Sequence, residues 1–169
     1  MAEAGITVTY TDRGLKELME NLRELGKLRV TVGYQGREAT KTLKPGGATT
    51  GFIAKVNEFG TKNIPARPFM RNAVKESGQD IAETAADVIG PVALGKDDPV
   101  DAMAEIGDVI QKAVLTKLRT TRTWAKPNAA STIAQKGFGL PPLDAGHQRL
   151  EDGLTWAVRD GRTVIREGK

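Results

Sequence analysis

The single histidine, His147, lies in the run DAGHQRLED, with Asp144, Glu151 and Asp152 close by in sequence. A histidine beside a carboxylate can act as a base with its orienting partner. No nucleophile is marked beside it and Asp144 fits better as a helix cap, so His147 reads as a surface or interface residue. A second grouping is acidic: Asp97, Asp98, Asp101, Glu105 and Asp108. On a helix, Asp101, Glu105 and Asp108 share a face, which suits a hard cation. The alternating ligand spacing of an EF-hand is missing, and acids near a helix start are favourable in their own right. This cluster reads as a solvated acidic face. The glycine-rich run KPGGATTG lacks the spacing of a phosphate loop and does not join a strand directly to a helix. Finally, Lys112, Lys117, Arg119, Arg122 and Lys126 surround Trp124, a pattern that can touch a nucleic acid backbone. One tryptophan gives that reading thin support.

Composition closes further routes. The chain has 169 residues, no cysteine and one histidine. Disulfides, thiolate nucleophiles, cysteine-based zinc sites and sites needing two histidines are excluded. An enzyme would have to use His147 or the 97–108 acids as its site. Aromatic residues are 5% of the total. No apolar run approaches the roughly 18 residues that cross a bilayer. The opening MAEAGITVTY shows neither a basic region nor an apolar run, so no signal peptide is expected.

The net charge of +4 conceals blocks of opposite sign. Residues 27–75 carry ten basic residues against Glu38 and Glu58, residues 76–108 carry nine acids against Lys96, and residues 109–143 carry six basic residues and no acid. Such blocks either form solvated helix faces or supply complementary contacts between identical subunits.

The elements that must carry these residues follow from periodicity. Ile6, Val8 and Tyr10 alternate with threonines, which predicts a strand near 6–10. Thr11 or Asp12 can cap a helix to about Leu25, with Leu15, Leu18, Met19, Leu22 and Leu25 on one stripe. Leu28, Val30, Val32 and Tyr34 predict a strand near 28–34. Residues 35–51, with four glycines and three basic residues, read as a long exposed loop or mobile hairpin. A short helix is expected over 52–59, stopped by Gly60. Pro65 and Pro68 then impose an extended segment. One helix is expected from Phe69 to about Ile89, broken by Gly90-Pro91. Another should run from about Val100 to Thr120, with Met103, Gly107, Ile110, Val114 and Leu118 inward. Residues 121–128 read as a loop. Asn128 can cap a short helix, and Asp144 a second over about 145–152. Leu154, Trp156 and Val158 predict a strand over 154–159. Asp160-Gly161 is a hairpin turn, with its returning strand over 162–166. The expectation is one α+β domain over 1–169, a small mostly antiparallel sheet with helices packed on it.

Two segments carry a resemblance. The first is Glu58-Phe59-Gly60-Thr61, followed by Ile64-Pro65-Ala66-Arg67-Pro68-Phe69-Met70-Arg71. The second is Ser131-Thr132-Ile133-Ala134-Gln135-Lys136-Gly137, then Pro142-Leu143-Asp144-Ala145-Gly146, continuing to Leu154-Thr155-Trp156-Ala157-Val158. In order and spacing they resemble the signatures of tailed-bacteriophage tail-completion and neck proteins, also called virion morphogenesis proteins. Ala145 stands where that family usually has threonine, and Glu151-Asp152-Gly153 replaces its usual polar residues. The motif residues that carry over are Phe59, Gly60, Pro65, Pro68, Phe69, Asp144 and Gly146.

The resemblance implies a structural virion protein at the head–tail junction, made in the host bacterial cytoplasm. It would complete or terminate the tail and join it to the capsid. Such proteins form homo-oligomeric rings, commonly hexamers, beside neck, connector and tail-tube proteins, with genomic DNA passing through without sequence-specific binding. The resemblance also implies that no membrane is involved, that no reaction is catalysed, and that there is no catalytic residue, metal or cofactor. The alternative is a DNA-binding or packaging accessory protein, resting on the basic 109–143 stretch. Interface residues expected on physical grounds are Arg37, Lys41 and Lys44 in the loop and Asp80, Glu83 and Asp87 on the acidic block. Arg67 joins them, because a guanidinium held between prolines suits a carboxylate. Phe69 reads as core.

Overall fold

Alternating apolar residues build the sheet. The computed structural model describes residues 12–42, 46–136, 143 and 149–169. Strands β1 (Leu28–Gly33), β2 (Thr155–Asp160) and β3 (Thr163–Gly168) form one antiparallel sheet in the order β1-β2-β3. Val30 pairs with Val158, and Val32 with Trp156. These side chains pack toward the long helix α6 (Pro99–Arg119), where Trp156 and Val158 meet Ala104. Gly107 makes that approach possible. A Cβ there would come within 3.0 Å of both Trp156 and Val30. The strand expected near 6–10 lies outside the described residues.

Eight other helices are described, five of which pack on α6. They are α1 (Leu15–Lys27), α2 (Gly36–Thr40), α3 (Thr50–Phe59), α4 (Phe69–Glu76), α5 (Gly78–Ala93), α7 (Thr121–Trp124), α8 (Ala130–Lys136) and α9 (Arg149–Gly153). Helix α1 starts where Asp12 accepts the backbone N–H groups of Gly14 and Leu15, at 3.0 and 2.8 Å. Asp98 caps α6 in the same way, through Val100 and Asp101, with Pro99 in the first turn. One core cluster joins Phe69 and Ala73 to Val114, Leu118, Leu150 and Leu154. A second joins Val88 and Val92 of α5 to Ala102 and Ile106 of α6. Helices on a small antiparallel sheet make this an α+β fold, as the periodicity predicts. Among the described residues, no helix is long and apolar enough to cross a membrane.

Several elements differ from expectation. Of the two readings of residues 35–51, the described part fits the hairpin better than the loop, with an added helix. These residues contain α2, and Thr42 and Thr49 bridge as in a hairpin, while Thr50 donates its N–H to the Lys41 carbonyl at 2.8 Å. The expected helix over 69–89 is two, interrupted at Ser77 ahead of Gly78, two poor helix formers in succession. Gly90-Pro91 does not break α5, which continues to Ala93 because Val88 and Val92 are buried on either side of the proline. In α6 the buried set is broader than one stripe. Ala102, Ala104, Ile106 and Gln111 join Gly107, Val114 and Leu118, since the helix is covered by the sheet and by α5, while Met103 and Ile110 are half-buried. Residues 121–124 form a helical turn rather than a loop. The hairpin turns on Gly161 and Arg162, because Asp160 already pairs with Thr163.

Candidate assembly surface

The segment from α3 to α4 is held by charges turned inward. Gly60 ends α3 at φ +74°, a conformation that suits glycine, and a Cβ there would lie 2.8 Å from the Ala66 nitrogen. The chain then folds back along itself. Thr61 donates its N–H to Ile64 at 2.8 Å, and Arg67 donates its N–H to Asn57 at 2.6 Å. Glu58 is 5% exposed. Its carboxylate accepts the N–H groups of Met70 and Arg71, at 3.0 and 3.2 Å, and the Arg71 Nε at 2.8 Å. It therefore caps α4 from a neighbouring helix and places negative charge at that helix's positive end. Phe69, the first residue of α4, is fully buried and meets Tyr34 edge-on, with ring centroids 6.4 Å apart.

Arg67 corrects the expectation that it faces a partner. It is 3% exposed, and among the described residues no carboxylate pairs with it. Its Nε donates to the Lys126 carbonyl at 2.8 Å. Its two terminal nitrogens reach Asn57 Oδ1, the Pro127 carbonyl and Asn128 Oδ1, at 3.3, 3.1 and 3.1 Å. Burial lowers its pKa from the usual arginine value. The guanidinium ties the α3–α4 turn to the strap before α8. Pro65 and Pro68 are half-buried, and Pro68 stands just before α4 rather than inside it.

What this scaffold leaves outside is apolar. Phe52 and Phe59 are 58% and 64% exposed, and Val56 lies between them at helical spacing on α3. Ile64 of the turn is exposed beside an open groove that Phe52, Val56, Arg67 and Asn128 also line. The Arg71 guanidinium sits 5.1 Å from the centre of the Phe59 ring, a cation–π distance. Lys55 shares the outer face of α3 with Phe52 and Phe59, and Lys62 lies in the turn. Both are exposed, without an ion pair among the described residues.

Comparison of the chain with family models, with curated proteins and with solved structures yields no match.

The other expected positions fall in three places. Asp80, Glu83 and Asp87 are exposed at i, i+3 and i+7 along α5, where Glu83 accepts Gln79 Nε2 at 2.8 Å. Arg37 is exposed on α2, whereas Lys41 is drawn into an ion pair with Glu38 at 2.6 Å. That bond, with Lys169 behind it, lowers the Glu38 pKa from the usual glutamate value. Lys44, Asp144, Gly146 and His147 lie outside the described residues.

Three of the acids of 97–108 have separate duties. Asp98 caps α6, Asp101 pairs with Arg166, and Asp108 accepts the Trp156 Nε1 at 2.5 Å. Among the described residues, no cluster of histidine, cysteine or acids is arranged to hold a metal ion. The basic stretch is partly spent as well. Lys117 pairs with Glu76 and covers the half-buried Trp124, and Arg119 pairs with Glu151. The tryptophan is thus closed as a stacking platform on that face, while Lys112, Arg122 and Lys126 are exposed. In the sequence, Glu58 stands out only as a motif residue and as one of two acids in the basic block, and Arg71 only as a motif residue. The available signal was an acid in a basic block, a dozen residues before a helix start.

Proposed function

We propose that this chain is a structural virion protein of a tailed phage. It acts at the head–tail junction as a ring that completes or terminates the tail and joins it to the capsid. The observation that carries the reading is the exposed patch of Phe52, Phe59 and Ile64, mounted on a turn that Glu58 and Arg67 fix from inside. A fixed apolar patch loses little freedom on docking, which favours assembly by surface complementarity. The two sequence signatures point the same way, and the first of them is the segment that builds this mount. The reading assigns the protein no reaction.

The test is a nonsense mutation in the gene within a phage that encodes it. Filled heads and separate tails should accumulate, and purified protein should restore joined, infectious particles in the lysate. Normal yields of joined particles without the protein would refute the proposal.

A further inference from the structure

We infer that the α3 patch of one copy docks on the acidic α5 stripe of a second copy, a head-to-tail contact. This inference rests on the ring reading above and names the surfaces that would make the ring.

The argument begins with sign. The α3 patch places Lys55 and Lys62 around Phe52, Phe59 and Ile64, and neither lysine has an ion pair among the described residues. The α5 stripe places Asp80, Glu83 and Asp87 in solvent, also without an ion pair among the described residues. Its far end carries an apolar contact point. Leu94 is 60% exposed, and the neighbouring Leu15 of α1 is exposed in the groove beside it. Each patch thus sets apolar surface near unpaired charge, basic on α3 and acidic along α5, although Arg13 lines the Leu15–Leu94 groove and Lys112 and Lys117 line the groove at Asp80.

A two-fold contact of either patch with itself would set lysine against lysine or acid against acid. Like charges across an interface are costly, and opposite charges guide docking. The patches therefore fit each other better than themselves. They also lie on different packing neighbourhoods: α3 packs on α2, α4 and α9, whereas α5 packs on α1, α4 and α6. One copy can use both patches at once. A contact between two unlike patches of the same chain closes into a ring or runs on as a filament.

The experiment uses two full-length variants in solution. One breaks the α3 patch: Phe52→Ser, Ile64→Ser and Lys55→Ser. The other reverses the stripe: Asp80→Lys, Glu83→Lys and Asp87→Lys. Circular dichroism verifies the fold of each, and Lys55→Ser with Lys62→Ser replaces the first variant if its changes unfold it. By light scattering after gel filtration, the wild type should be oligomeric and each variant monomeric. Their equimolar mixture should give a species of twice the 18.1 kDa chain mass and nothing larger, because each pair retains one good patch on each side. A monomeric wild type, a mixture that stays monomeric, or a variant that assembles alone like the wild type would overturn the inference. No virion enters this measurement. A head-to-tail dimer from a protein dispensable for joining heads to tails would defeat the virion reading and leave this contact standing.

Discussion

Glu58 and Arg67, at 5% and 3% exposure, spend their charge inside the chain, on backbone N–H groups and carbonyls that would otherwise go unpaired. Asp80, Glu83 and Asp87, one helix further on, stand in solvent, and only Glu83 receives a side-chain hydrogen bond among the described residues. The first group gives the turn its shape, so its removal unfolds structure. The second contributes to a surface, so its removal is felt only by a partner. The two regions adjoin in sequence and read alike as charged runs. Burial separates them.

Breaking the inner region should produce the largest losses. Phe69→Ala empties the site where α4 enters the core and should cost about 3–5 kcal/mol in chemical denaturation. Arg67→Ala leaves the carbonyls of Lys126 and Pro127 without their donor, and should cost about 3 kcal/mol by the same measurement. Gly60→Ala forces a side chain into positive φ and against Ala66, so a loss of about 1–3 kcal/mol is expected. The contrast sharpens at the stripe. Reversing Asp80, Glu83 and Asp87 should each change stability by less than about 0.5 kcal/mol, leaving the thermal midpoint near that of the wild type. A loss at the stripe comparable to that at Arg67 would erase the distinction.

The smallest effect belongs to Glu38, tied to Lys41 at 2.6 Å. Its pKa is lowered in the fold, chiefly by the Lys41 hydrogen bond. The stabilisation is therefore present above the unfolded glutamate value and fades as pH falls through the lower folded one. Carboxyl NMR titration should find Glu38 protonating at lower pH than ordinary glutamates, and Lys41→Ala should move it back.

Much of the fold was legible because its elements advertise themselves locally. The alternation of Val30 and Val32, and of Trp156 and Val158, marks two strands that do pair, and Asp98-Pro99 marks the start of α6. The break at Ser77 was not legible, since apolar spacing continues across it. Nor was the continuation through Pro91, which depends on Val88 and Val92 finding α6. The candidate surface was read in outline and misassigned in detail. Prolines around Arg67 fix its backbone but not the direction of its side chain. Its acceptors at Lys126 and Pro127 lie about sixty residues on and are ordinary carbonyls that no motif records. Phe59, taken as a structural residue of the motif, is largely exposed. Its neighbour Glu58 carries the structural part.

The strand order also fixes a timetable. The middle strand of the sheet is β2, and its bond to β1 spans 126 positions, from Thr31 to Ala157. At 5–20 residues per second, the ribosome finishes β2 roughly 6–25 s after β1. Throughout that interval β1 has no hydrogen-bonded neighbour in the described sheet, and α6 is made before the surface it will cover. Interrupted synthesis therefore leaves a chain that carries most of its helices and cannot close its sheet. The described sheet is complete only once β3 has followed β2.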